Sequence, residues 1–211
     1  MKIALIGANG NVGKVILKEA LLRGHEVTGI VHDISKVESK EDNVKFIEED
    51  IFNEEGLLEA IKGNDIVISA FGPKQGDEKS LVEATKSLIS TVKKAGVPRL
   101  LSMGGAGSLL VEGDIKLVET KEFPSDWKPI ALAHGEALEQ YKQEKDLNWT
   151  NLSPAALIEP GKRTGVYRTA EDHLVVNEEG VSRISFEDFA FAMLDEVEKP
   201  KFSKRRFTVA Y

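Results

Sequence analysis

Three glycines at three-residue spacing, Gly7, Gly10 and Gly13, follow a short apolar run from Ile3 to Ile6. They open a stretch in which Val12, Val15, Ile16, Ala20 and Leu21 recur at helical spacing. The chemistry of such a triplet is anion recognition by the main chain. Gly7 permits a tight turn out of a strand, Gly10 lets backbone approach a pyrophosphate with no β-carbon in the way, and Gly13 allows the new helix to pack close to the strand. The helix N-terminus offers the same anion its unpaired N–H groups and the positive end of its dipole. Glycine turns also join strands to helices in proteins that bind no nucleotide, so the triplet needs context. Gly24 stops the helix and Glu26 to Val31 reads as a second strand. The unit closes as β-α-β in about thirty residues, the length of a mononucleotide-binding half, and reads as a dinucleotide-binding signature.

The elements that must position this signature continue in alternation. Val44 to Glu48 reads as a third strand, Glu54 to Ile61 as a helix ended by Gly63, and Asp65 to Ser69 as a fourth strand, apolar on both faces as a covered strand must be. A polar loop, Gly72 to Asp77, leads to a helix over Glu78 to Ala95, ended by Gly96. Pro98 to Met103 is a fifth strand, followed by Gly104, Gly105 and Gly107. Leu109 to Lys128 lacks periodicity and reads as an insertion near the site that could close as a lid. A helix from about Ala131 to Glu144 and a sixth strand, Trp149 to Ser153, follow. Gly161 to Tyr167 is turn-rich, Ile184 to Asp188 opens a capped helix, and Phe207 to Val209 is a last short strand. The alternation predicts an α/β fold with a doubly wound parallel sheet. We expect one domain over residues 1–211, with a dinucleotide-binding core to about residue 155 and a small C-terminal elaboration on the substrate side from about residue 156.

Composition narrows the function classes. With 41% hydrophobic and 30% charged residues the chain can bury one sizeable core. It has no apolar run near the roughly eighteen residues of a membrane span and enters a strand at once, which predicts a cytoplasmic protein that engages no membrane. The net charge of −7 offers no basic face for nucleic acid, and Lys199 to Arg206 reads as a solvated terminal face. There is no cysteine, and His25, His32, His134 and His173 show no metal-ligand spacing, so no metal is expected.

Several motifs together resemble one family. They are Gly7-Ala-Asn-Gly-Asn-Val-Gly13, Gly24-His-Glu-Val-Thr28, Asp50-Ile-Phe52, Pro98-Arg-Leu-Leu101 with Gly104-Gly105, Leu152-Ser-Pro-Ala155, Glu159-Pro-Gly-Lys-Arg-Thr-Gly165 and Asp172-His-Leu174. With them the chain resembles, over nearly its whole length, the atypical short-chain dehydrogenases with NAD(P)H-binding, NmrA-like domains, in particular bacterial NADH-flavin reductases related to biliverdin reductase B. The resemblance implies a Rossmann-like fold and an oxidoreductase. It places Gly7, Ala8, Asn9, Gly10, Asn11, Val12 and Gly13 at the pyrophosphate, and His32 and Asp33 at the adenosine ribose. Relatives commonly carry arginine where His32 stands, whose guanidinium would grip a 2′-phosphate. An imidazole could still contact a phosphate or stack on adenine, while Asp33 could accept from a free ribose hydroxyl and repel a phosphate. NADP and NAD both stay open, with NADPH favoured slightly by the family. Asp50 and Ile51 match the adenine pocket, and Ala70, Phe71 and Gly72 lie under ribose and nicotinamide. Pro154 and Ala155, after Ser153, match contacts to the carboxamide. Ser102, ending the fifth strand, is the candidate to orient the acceptor, and His134 is a second candidate for proton delivery or a helix-surface residue.

The Tyr-x-x-x-Lys pair of the wider superfamily is not found at its expected place. Tyr141 and Lys145 have the spacing but fall late in their helix and read as a surface pair. Carbonyl reduction would then lack its general acid. A flavin can take hydride at its ring and protons from water, so holding two rings face to face suffices. The expected activity is hydride transfer from NAD(P)H to a flavin or similar planar small-molecule acceptor by a monomer or homodimer. A non-catalytic, NmrA-like dinucleotide-binding redox sensor is the alternative.

Overall fold

The computed structural model describes residues 1–37 and 43–211. The first five strands follow their apolar patterns, with an α-helix after each except β2: β1 (Lys2–Ile6), α1 (Asn11–Leu22), β2 (Glu26–Val31), β3 (Val44–Glu48), α2 (Glu54–Ile61), β4 (Ile66–Ser69), α3 (Ser80–Ala95) and β5 (Arg99–Met103). Then come α4 (Lys128–Gln143), β6 (Asn148–Ser153), β7 (Leu157–Glu159), β8 (Arg168–Ala170), β9 (Arg183–Ser185), α5 (Phe186–Glu198) and β10 (Arg205–Ala210). The main sheet runs β3-β2-β1-β4-β5-β6-β10-β8, parallel except where β8 pairs with β10, and β7 and β9 form a separate parallel pair. The fold is thus α/β and Rossmann-like with a small C-terminal extension. The chain steps outward from β1 to β3 and returns to β4 on the other side, so the crevice opens at the carboxyl ends of β1 and β4.

Alternation along each strand feeds two cores. Ile3, Leu5, Ile66, Ile68 and Leu101 pack with Phe189 and Met193 of α5 and with Ile16 of α1. Ala4, Ile6, Val67 and Leu100 pack with Leu57 of α2, Leu88 of α3 and Leu138 of α4. Ser185 caps α5, its Oγ accepting from Asp188 N at 2.9 Å. Gly96, left-handed at φ 68°, closes α3.

The C-terminal third departs from the sequence reading. β7, β8 and β9, each of three residues, are too short to show alternation and were not predicted, and β10 extends further than expected to become an interior strand between β6 and β8. The segment after β5 is stitched down as three short 3-10 turns over 112–114, 117–119 and 125–127. Leu109 and Val118 are buried, Leu110 N donates to Asp172 O at 2.8 Å, and Leu174 N donates to Leu110 O at 2.9 Å. No helix among the described residues is long and apolar enough to cross a membrane.

One ion pair joins the sheet to α5. Arg99 Nη2 meets Glu196 Oε1 at 2.5 Å with both side chains buried, and Glu196 also accepts from Lys201 N at 2.9 Å and Phe202 N at 3.0 Å. Removing one partner leaves a buried charge without compensation, so Glu196→Ala is expected to lower the unfolding free energy in urea by about 3–5 kcal/mol. Lys142→Ala, which breaks only the exposed contact with Glu139, is expected to change it by less than about 0.5 kcal/mol.

Candidate functional site

The glycine turn is built by steric necessity. Gly7 has φ +76°, and a β-carbon there would stand 2.8 Å from the carbonyl oxygen of Ala70. A β-carbon on Gly13 would stand 1.9 Å from Gly7 O. Helix α1 therefore starts hard against the end of β1. Its N-cap, Gly10, supplies no side-chain cap, and the first turn carries no acidic residue. The leading N–H groups are left for an anion, as a pyrophosphate site requires.

Gly7, Asn9, Gly10, His32, Asp50, Ile51, Ala70, Phe71 and Gly72 line one cleft of about 360 Å³. Asn11, Val12 and Gly13 form the adjoining first turn of α1, and Ala8 is fully buried beneath it. Pro154 and Ala155 are buried where the chain leaves β6. Beside them Ser153 Oγ is buried without a hydrogen-bond partner among the described residues. The open helix terminus and this orphaned hydroxyl fit a dinucleotide ending in an amide.

At the carboxyl ends of β2 and β3 the carboxylates are fixed. Asp33 accepts from Ser35 Oγ at 2.5 Å and Ser35 N at 3.1 Å and pairs with Lys36 at 3.0 Å. The Ser35 hydroxyl first, and then Lys36, pull its carboxyl down to about 2. Glu48 Oε2 accepts from Ile34 N at 2.8 Å, Glu49 Oε1 from Asp50 N at 2.8 Å, and Asp50 Oδ1 from Phe52 N at 2.9 Å. Glu48 and Glu49 were not among the predicted site residues. The signal for them was the acidic run ending at Asp50.

Ser102 and His134 lie elsewhere. In register across three strands, Ser69, Ser102 and Asn151 form one polar row. Strand alternation points it at α3 and α4, and Asn151 Nδ2 donates to Ser102 Oγ at 2.8 Å. With Thr85, His134 and Tyr141 they line a small chamber of about 10 Å³, room for about one water. Ile51 and Phe71 line both chamber and cleft and form the wall between them. Ser102 is thus beneath the cleft surface, and it is not placed to touch an acceptor.

Tyr141 corrects the sequence reading. It is 3% exposed, not a surface residue, with Trp149 tilted against it at 5.7 Å. Its hydroxyl lies beside Ser102 and Thr85, and burial lifts it to about 12. Lys145 is exposed beyond the end of α4. His134 is half-buried, not a helix-surface residue, and desolvation alone lowers its imidazole to about 4.

A family model described as NAD(P)H-binding matches residues 7–197. The Bacillus subtilis (strain 168) protein YwnB is 48% identical over 212 residues, spanning 99% of this chain and 98% of its own. A solved structure from Bacteroides thetaiotaomicron, provisionally named an epimerase, is 42% identical with a TM-score of 0.94 over 100% of this chain and 96% of that one. Another from Streptococcus pneumoniae, provisionally named an NADH-flavin reductase, is 36% identical with a TM-score of 0.88 over 100% and 99%.

Two outcomes test this geometry. Gly10 has ordinary extended backbone, and a β-carbon there meets only Gly7 O at 3.3 Å. Gly10→Ala should keep its melting temperature yet weaken NADH binding about tenfold in calorimetry, whereas Gly13→Ala should fail to fold stably. The second concerns acid stability. The folded His134 binds its proton less readily than an unfolded histidine near 6.5, so the unfolded chain holds more protons between about pH 4 and 6.5. The contribution of His134 to stability should fall as pH drops through that window, and His134→Leu should flatten that part of a urea-midpoint profile.

Proposed function

The chain belongs to the NAD(P)H-binding family, and from that premise we propose that it is a reductase passing hydride from a reduced nicotinamide dinucleotide to a flavin or similar planar acceptor. The observation that carries this reading is the position of Tyr141. The one tyrosine with the Tyr-x-x-x-Lys spacing is sealed beneath the cleft with its proton held up to about 12, and its lysine is exposed past the helix end. A ketone acquiring hydride needs an acid at its oxygen, and that pair does not supply one. An acceptor that draws its protons from water needs only position.

When bound, the dinucleotide supplies the hydride. The residues around it bind, orient and exclude. The N–H groups at the start of α1 hold the pyrophosphate, and Ile51 with Asp50 and His32 bound the adenine. Ala70, Phe71 and Gly72 lie under the ribose and nicotinamide, and Ser153, Pro154 and Ala155 meet the carboxamide. The provisional name of the Streptococcus pneumoniae relative agrees with this reading.

The fixed carboxylates favour NADH. Asp33, held ionised by its cap contacts, and Glu48, whose carboxylate takes up Ile34 N, stand where a 2′-phosphate would bring like charge. Lys36 is already paired with Asp33. The protein is therefore expected to oxidise NADH with FMN, FAD or riboflavin, with kcat/KM at least about tenfold above that for NADPH. Asp33→Asn, which keeps an acceptor for Ser35 but removes the charge, should narrow the gap. Tight NADH binding with no turnover on any flavin or quinone would instead identify a dinucleotide sensor.

A further inference from the structure

The chain leaves β4 against the glycine turn: Ala70 N donates to Ile6 O at 3.0 Å, and the missing β-carbon of Gly7 is what lets Ala70 O come close. Further along, Asp77 N donates to Lys74 O at 3.0 Å, and Gly76 takes φ +90°, the positive value that the third residue of a type II turn needs. Ser80 then donates its N and Oγ to Asp77 O at 3.1 and 2.7 Å as α3 begins. The backbone of Lys74 is therefore tied to the helix that follows, while its side chain is exposed. Lys74, Gly7 and Gly10 line the same cleft of about 360 Å³. Among the described residues the Lys74 ammonium has no ion pair and no hydrogen bond, whereas Lys36, Lys93 and Lys94 are each paired with a carboxylate.

The α1 terminus alone leaves most of a bound ligand's charge unmatched. A helix N-terminus offers the equivalent of about half a positive charge to a pyrophosphate dianion. Glu49, Asp50 and Asp77 add negative charge around it. Lys74 is the one lysine or arginine among the described residues that line the cleft. Resting on the reading that sets the pyrophosphate at the α1 terminus, we propose that Lys74 is a further cofactor-binding residue: its ammonium donates hydrogen bonds to the pyrophosphate oxygens from the loop between β4 and α3, complementing the fixed N–H groups of α1. The ligand class it reads is a nucleoside diphosphate unit, whatever ring is attached beyond the second phosphate. A compact ammonium on a flexible four-carbon stem suits the task, since the exposed stem can turn to the phosphates as they arrive while the turn beneath it stays in place. Lys74 binds and orients, and no bond forms or breaks at it.

The test is a ladder of ligands, adenosine, ADP, ADP-ribose and NADH, titrated by calorimetry into the wild type and three variants at low ionic strength. Lys74→Gln should weaken ADP, ADP-ribose and NADH alike by about tenfold, leave adenosine within about twofold, and keep the melting temperature. Lys74→Arg, which keeps the charge, should hold all four within about threefold. Lys79→Gln removes a neighbouring exposed lysine that does not line the cleft, and it should change none of them. The gap between wild type and Lys74→Gln should narrow as salt rises. An unchanged ADP-ribose affinity in Lys74→Gln overturns the proposal and leaves the pyrophosphate at α1. A loss confined to NADH overturns it too, because Lys74 would then meet the nicotinamide half. A loss that includes adenosine, or one that Lys79→Gln reproduces, overturns the contact in favour of the nucleoside or of the general field of the loop. A wild type that binds ADP-ribose no more tightly than adenosine overturns both the contact and the placement of the pyrophosphate at α1.

Discussion

Helix α1 can begin where it does only because residue 13 has no side chain: a β-carbon there would stand 1.9 Å from the carbonyl oxygen of Gly7. That contact fixes the helix axis against the end of β1, and the anion site is a consequence of it. So is the packing on the far face of α1. Glu19, 4% exposed, is held by Arg23 at 2.7 Å and by Arg163 at 2.7 Å, and the two guanidiniums flank the Phe191 ring at 4.4 and 4.7 Å. Burial pushes the Glu19 carboxyl up, but its hydrogen bonds to Arg163 and Arg23 prevail and hold it below the ordinary range. Arg163 belongs to the turn-rich segment that follows Pro154 and Ala155, and Asp188 of α5 ties that segment down through Thr164 N and Gly165 N at 2.8 and 2.7 Å. Helix α1 and the loop that follows β6 are thereby held to one another through a buried carboxylate.

Much of this was legible because it is local. The glycine spacing, the two-sided apolar strands and the Gly24 and Gly96 stops each state their geometry within a few residues, and the sheet order follows from the alternation they imply. What was not legible depends on register. Tyr141 sits between Gln140 and Lys142 and looks solvated in sequence, yet its period from Ala137 and Leu138 places it inward. Its partners come from α3, β5 and the Trp149 ring of β6, which no single stretch of chain reveals. Ser102 was misplaced for the same reason. Being at a strand end suggests the mouth of a cleft, but its parity with Leu100 turns it toward α3 and α4.

The polar row under the cleft is a consequence of where the strands end. Above Val67, Leu100 and Trp149, all in the apolar core, the same faces of β4, β5 and β6 change to Ser69, Ser102 and Asn151. Burying such groups is unfavourable unless each donor finds an acceptor. Here Asn151 donates to Ser102 Oγ and Thr85 donates to Leu81 O, while the buried Tyr141 hydroxyl lies beside Ser102 and Thr85. With its ring buried against Trp149 and its hydroxyl among these groups, the tyrosine serves the core.

The two ends of the cleft differ in charge for physical reasons that bear on what enters it. Among the described residues, Glu49, Asp50 and Asp77 line it against Lys74 as the only lysine or arginine. A dinucleotide brings a pyrophosphate dianion into this acidic surround, and what favours it before any side chain is counted is the uncapped α1 terminus, whose N–H groups are fixed dipoles and not mobile cations. That dipole acts within a turn of the helix, so it stabilises charge at the pyrophosphate and gives nothing to a further phosphate at the end of β2, where Asp33 and Glu48 are anchored to backbone and cannot swing away. Ala70, Phe71, Gly72 and Pro73, which line the cleft after β4, carry no charge. The charge pattern of the cleft is therefore set by backbone: an anion is favoured at the α1 terminus and opposed where Asp33 and Glu48 are held by main-chain N–H groups.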